Sequence, residues 1–108
     1  VGNTVHVSGT TATGADGRLV GQGDMYAQTV QALRNIRSAL ERAGARLEDV
    51  VRTRVYVTDI ARYDEVARAH GEMFGAILPA SALIGVAALV DPDMLVEIEA
   101  DAVIPDGR

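Results

Sequence analysis

Few residues in this chain have the chemistry to act on a ligand, and the clearest are two carboxylates. Glu97 and Glu99 stand two apart in the alternating run Val96 to Asp101, so both project from one face of a strand. The strand rise separates their backbones by roughly 7 Å. Two acids at that spacing can share general-acid and general-base work if their surroundings push their pKa values apart. They can equally form a charged ladder with Arg52 and Arg54 on a neighbouring strand, the commoner meaning of an ExE pattern. His6 and His70 are the only histidines. His70 falls in the apolar stripe of a helix and reads as a packed side chain, whereas His6 alternates with Val5 and Val7. Two histidines without a carboxylate cluster do not make a metal site, and no metal or other cofactor is expected. Ser8 and Gly9 at a strand end could offer a hydroxyl and amides to a ligand, or simply turn the chain. Ser81 has no sequence neighbour that would activate it. The glycines at 14, 17, 21 and 23 are not framed by a strand and a helix start, so they form no phosphate loop.

The elements that must position these residues follow from periodicity. Thr4 to Ser8 alternates as a half-buried strand, and the Thr-, Gly- and Asp-rich stretch Gly9 to Gly17 predicts a turn with a short return strand over Arg18 to Val20. Asp24 can cap a helix spanning Met25 to Ala43, with Val30, Leu33, Ile36 and Leu40 at helical spacing and Gly44 as its stop. Val50 to Val57 predicts a strand with Val51, Thr53, Val55 and Val57 on one face and Arg52, Arg54 and Tyr56 on the other. A second helix is expected from about Tyr63 to Ala76, ended by Pro79, with Tyr63, Val66, His70, Met73, Phe74 and Ile77 as its stripe. An apolar strand over Ala82 to Val90, a turn at Asp91 to Asp93, and a strand over Leu95 to Ile104 complete the chain.

Two helices can cover only one face of such a sheet. The other face carries Arg52, Arg54, Tyr56, Glu97 and Glu99, beside either the Ser81, Leu83, Gly85 register of the apolar strand or the Ala82, Ile84, Val86 register. A strand that apolar is usually buried on both sides, so this face is expected to pack against copies of itself. The 108 residues suit one domain, 1–108, and a chain this short gains stability from self-association. With no cysteine, disulfides and thiolate chemistry are excluded, and a reducing, cytoplasmic setting is compatible. No run approaches the length of a membrane helix, about 18 residues. The net charge of −5 and the scattered arginines make nucleic acid a poor partner. The chain opens on Val1 and enters a strand almost at once, so native residues upstream are an expectation.

Four segments together resemble one known family. They are VGNTVHVSGTT, LRNIRSALERAGARLEDVVRTRVYVTDI, YDEVARAHGEMFG and LPASALIGVAALVDPDMLVEIEADAVI, collinear over nearly the whole chain. They resemble the Rid (reactive intermediate deaminase, YjgF-like) family, which also carries the label endoribonuclease L-PSP. The resemblance implies an α/β (α+β) fold, a chorismate-mutase-like two-layer sandwich. Its mixed sheet has two helices on one face, and the sheets of three copies pack into a barrel. It also implies a homotrimer that binds a small molecule in clefts between subunits.

Active members of the family hydrolyse enamines and imines to a keto acid and ammonia. Carried over by position, Glu97 would hold the attacking water and the amide of Gly9 would line the cleft. The family's carboxylate-clasping arginine follows Pro-Ala, and here Pro79-Ala80 is followed by Ser81. Leu83 stands where archetypal members carry Cys, and Ala67 replaces a frequent Asn. Arg52 or Arg54 is a candidate to compensate for the missing arginine. The segment that supplies a cleft tyrosine in the family lies outside this sequence. The resulting expectation is a deaminase-type hydrolase with weak or absent activity on 2-imino acids. The alternatives are a non-catalytic small-molecule sensor and, less favoured, an endoribonuclease.

Overall fold

The computed structural model describes residues 1–107. Strand β1 (Thr4–Thr10) is followed by helix α1 (Met25–Arg42), strand β2 (Val50–Val57), helix α2 (Tyr63–Phe74), strand β3 (Ala80–Gly85) and strand β4 (Val96–Val103). The sheet order is β1-β4-β2-β3, with β4 antiparallel to both neighbours and β3 parallel to β2. This is a mixed sheet, with both helices packed on one face. Val50, Val55, Val57, Val96, Ile98, Ala100 and Ala102 point inward and meet Met25, Leu33, Ile36, Leu40, Val66 and Phe74 in one apolar core. With so few aromatic residues, aliphatic side chains fill that core.

Local chemistry sets the helix ends. The Asp24 carboxylate accepts from the Ala27 amide at 2.9 Å, as expected of an N-cap. Gly44 takes φ +86, which lets Ala45 N donate to Leu40 O and Gly44 N to Glu41 O, the paired bonds of a Schellman stop. The buried stripe of α1 departs from the expected one, because Gln28 and Thr29 are buried while Val30 lies only partly inside. Helix α2 ends at Phe74 rather than Ala76, and Tyr63 of its predicted stripe is exposed.

Three strand expectations need correction. Arg18 to Val20 forms no strand; Thr13 and Leu19 make one isolated bridge, and Asn35 of α1 ties the loop by donating to the carbonyls of Thr11 and Thr13. In β2 the register slips between Val50 and Arg52, so Val50 takes the inward position and Val51 is left out in solvent. Strand β3 stops at Gly85 instead of running to Val90, because its partner β2 ends at Val57 and offers one last bond, to Val86 N.

Strand β3 also lies at the sheet edge and is exposed along its length, so the two-sided burial expected of it is absent from the single chain. The other sheet face has no helix over it. It presents Ala82 and Ile84, because Ser81 and Leu83 pair with inward-facing Thr53 and Val55.

Candidate functional site

The uncovered face is organised by the register of three strands. Tyr56 lies opposite Glu97, Arg54 opposite Glu99, and Asp101 between Arg52 and His6. His6 Nδ1 is 2.8 Å from Asp101 Oδ1, and Arg54 donates to Asp101 Oδ2 at 3.2 Å. The Tyr56 hydroxyl donates to Glu99 Oε1 at 2.7 Å. The two glutamates of the pair therefore differ in their surroundings. Glu99 belongs to the ladder of Arg54 and Tyr56, while the Glu97 carboxylate makes no hydrogen bond or ion pair among the described residues.

The electrostatics follow the same division. The hydrogen bond it donates to Glu99 holds the Tyr56 hydroxyl in its protonated form, raising its pKa above the usual phenol value. The His6 contact, helped by the Arg54 charge, keeps the Asp101 carboxyl below the ordinary carboxylate range. A depressed carboxyl contributes stability that is complete above its unfolded pKa of about 4 and is lost as pH falls through the lower folded value. Denaturation midpoints should therefore separate wild type from Asp101→Asn at pH 6, and the gap should close on acidification below pH 4. A gap that stays constant across that range would show that the ionised carboxylate is not what stabilises this corner.

Gly9 is where β1 meets Glu97. The register of β1 against β4 shifts between Val7 and Thr10, placing Ser8 and Gly9 in a bulge. A Cβ at Gly9 would stand 2.4 Å from Glu97 Oε2 and 2.9 Å from its Cδ, so the carboxylate lies directly against the glycine backbone. Gly9→Ala should push the Glu97 carboxylate aside. Since only the end of a flexible side chain must yield, unfolding free energy should change by no more than about 1 kcal/mol. Any ligand chemistry that depends on Glu97 should fall with it. Unchanged ligand chemistry in Gly9→Ala would mean that the pairing of Gly9 and Glu97 is incidental.

Ser81 and Leu83 lie elsewhere. Ser81 pairs with Thr53 and Leu83 with Val55, so both point to the helix side of the sheet, opposite to the Glu97 face. One chain does not bring Ser81 and Glu97 together. Ser81 Oγ lies 2.8 Å from the hydroxyl of fully buried Thr53, which lies 2.8 Å from His70 Nε2. The His70 ring packs on Phe74 at 4.8 Å between centroids, and burial pushes its pKa below the ordinary value. This Ser81–Thr53–His70 chain escaped sequence reading because it depends on a parallel register that no local pattern encodes.

Arg52 is exposed on the Glu97 face but opposite Asp101, two same-face steps from Glu97 along β4. Arg54, one step nearer, is already engaged by Asp101. A hollow of about 220 Å³ lined by Thr58, Ala87, Leu89 and Met94 contains none of these residues. Among the described residues, no cluster of three or more His, Asp or Glu could hold a metal ion, and no helix is long and apolar enough to cross a membrane.

A two-layer α+β sandwich of this order, with one sheet face bare and a free glutamate on its central strand, is a chorismate-mutase-like fold of the Rid type. The sequence matches the family described as Endoribonuclease L-PSP over residues 1–104, and the chain belongs to that family, the YjgF or Rid proteins. It is 35% identical over 102 residues to a RutC family protein of Pyrococcus abyssi, covering 94% of this chain and 80% of that one. Among solved structures it is similar to Rv2704 of Mycobacterium tuberculosis, described as a member of the YjgF/YER057c/UK114 family. That match has 50% identity and a TM-score of 0.86, and covers 96% of this chain and 81% of the other. The YjgF gene product of E. coli aligns with 32% identity and a TM-score of 0.87, covering 95% and 82%.

Proposed function

We propose that this protein is a homotrimer that binds a small metabolite between subunits and hydrolyses an enamine or imine there to a carbonyl compound and ammonia. Glu97 holds the attacking water and the Gly9 amide faces the ligand. Ser81 and Leu83 of an adjoining copy form the opposite wall. The observation that carries this reading is the free Glu97 carboxylate lying on Gly9, in a chain of the Rid family, while its neighbours Glu99 and Asp101 are engaged. Two further features support it. The site's two halves lie on opposite faces of one sheet, so a second copy is needed to join them. The apolar edge strand β3 and the bare face beside it offer the surface for that copy, since unpaired apolar edges are otherwise an aggregation hazard.

The test is ammonia release from 2-aminoacrylate generated in situ by a pyridoxal-phosphate dehydratase. Wild type should exceed the buffer rate only weakly, and Glu97→Gln should fall back to it. Equal rates for wild type, Glu97→Gln and buffer would exclude catalysis on that substrate, and lone chains in sedimentation equilibrium would remove the site itself. Ser81 in place of the family's arginine favours a second reading, a non-catalytic metabolite sensor, which predicts ligands that raise the melting temperature and are recovered unchanged. Ribonuclease activity, which the family's name suggests, suits the surface poorly: the bare face sets Glu97, Glu99 and Asp101 against Arg52 and Arg54, and net charge is −5.

A further inference from the structure

We propose that His70, Thr53 and Ser81 form a proton relay ending at the β3 edge, and that it serves an imine or enamine with no carboxylate beside the reacting carbon. This rests on the hydrolytic reading above and names its acid and its substrate class.

Thr53 is wholly buried, and its single hydroxyl is bonded at 2.8 Å to His70 Nε2 on one side and at 2.8 Å to Ser81 Oγ on the other. A hydroxyl has one proton to donate, so the chain must be polarised one way or the other. With Thr53 donating to His70, Ser81 donates inward and shows only lone pairs to a ligand. With His70 donating to Thr53, Thr53 donates to Ser81, whose own proton is then free to point outward. Going from the second state to the first takes one proton from the half-buried ring and releases one from the exposed Ser81 hydroxyl to the ligand, without displacing a heavy atom. A packed core histidine needs only a partner; this one is connected through a buried hydroxyl to an exposed strand edge.

The chemistry balances. Water oxygen bonds to the imine carbon as Glu97 of the adjoining copy takes the water proton. The C=N π pair moves onto nitrogen, which takes a proton from Ser81. Ser81 is reprotonated by Thr53, and Thr53 by Nε2 of the His70 imidazolium, leaving a neutral imidazole. The carbinolamine then collapses: nitrogen takes the proton held by Glu97, the C–N bond breaks and ammonia leaves, while the hydroxyl oxygen becomes the carbonyl and its proton returns through Ser81 and Thr53 to His70.

The substrate class follows from what the edge lacks. Ser81 is neutral, and Arg52, the cation paired with β3, lies opposite Ala80 and projects to the other face. A carboxylate placed here would give up its hydration for a single neutral hydrogen bond. A neutral imine needs only the proton.

Two measurements test this separately from the hydrolytic reading. Long-range ¹H–¹⁵N spectra should show the His70 tautomer balance or titration midpoint moving in both Thr53→Val and Ser81→Ala. Ammonia release is then followed from a neutral imine, supplied by an amine oxidase acting on benzylamine, and from an amino-acid oxidase product that keeps its carboxylate. Wild type should prefer the neutral imine. Thr53→Val should lower kcat about a hundredfold with little change in KM, the low end of the factor of about 10²–10⁴ that general acids supply. It should also flatten the limb of the pH profile that tracks His70, and Thr53→Ser should restore most of the rate. His70 spectra indifferent to Ser81→Ala, or a folded Thr53→Val with wild-type kcat, would overturn the relay while leaving the hydrolytic reading standing. A wild type inert toward both imines would overturn the two together.

Discussion

Ser81→Arg is expected to raise kcat/KM for 2-aminoacrylate by about 10- to 100-fold, the yield of a charge-assisted, two-pronged contact worth about 1.5–3 kcal/mol. The position can take the larger side chain. Ser81 is exposed on an edge strand, so a guanidinium can extend past the sheet without entering the core. The loss within the chain is one hydrogen bond, that between Ser81 and Thr53, and Thr53 keeps its bond to His70. The same change should reduce the rate on a neutral imine, since the relay's outer hydroxyl is gone and a cation replaces it. Measuring both substrates on one preparation makes this a specificity exchange, which a general gain or loss of folding cannot imitate. Ser81→Arg with wild-type oligomeric state and melting temperature, but no gain on 2-aminoacrylate, would place the carboxylate-binding wall somewhere other than the β3 edge.

A feature of this fold is legible in the sequence where its signal is local. The alternation of β4 predicts Val96, Ile98, Ala100 and Ala102 inside and Glu97, Glu99 and Asp101 outside, and the structure has them so, because both bulges lie in its partners β1 and β2 and β4 itself keeps the period of two. The start of β2 breaks that rule. Val50 and Val51 are chemically identical, so only the bulge decides which is buried, and a bulge belongs to the pairing of two strands rather than to either one. The glutamate pair was ambiguous for the same reason: Glu97 and Glu99 differ in what lies across from them, Tyr56 and Arg54, and in the glycine bulge that only Glu97 meets. Which register of the apolar strand faces the helices was likewise open, and the parallel pairing of Ser81 with Thr53 decides it. Gln28 was passed over entirely, since a glutamine in a helical stripe reads as solvent-facing and its partners lie far along the chain.

That glutamine should be among the most sensitive positions in the molecule. Its side chain is fully buried, with Nε2 donating to the carbonyls of Gly21 at 3.2 Å and Asp93 at 3.0 Å, and Oε1 accepting from Leu95 N at 2.9 Å. One side chain of α1 thus fastens both the turn that precedes its own helix and the turn that delivers β4. Gln28→Met keeps the volume and leaves three backbone groups without that partner. The expected cost is about 2–4 kcal/mol, less than the sum for three fully buried orphans because water can reach part of this site. Against a total of about 5–15 kcal/mol this is a large share, and melting should fall by roughly 10 °C or more. Gln28→Glu separates hydrogen bonding from packing: it has nearly the same shape, but as a carboxylate it only accepts, and it would face the two carbonyls with a charge. It should be at least as damaging as Gln28→Met at neutral pH. The damage should reach function too, because Leu95 lies two residues before Glu97, and a loosened turn lets the start of β4 drift away from Gly9. If Gln28→Met melts within about 2 °C of wild type, a shift worth roughly 0.5 kcal/mol, the brace is dispensable and the placement of Glu97 must rest on the strand pairing alone.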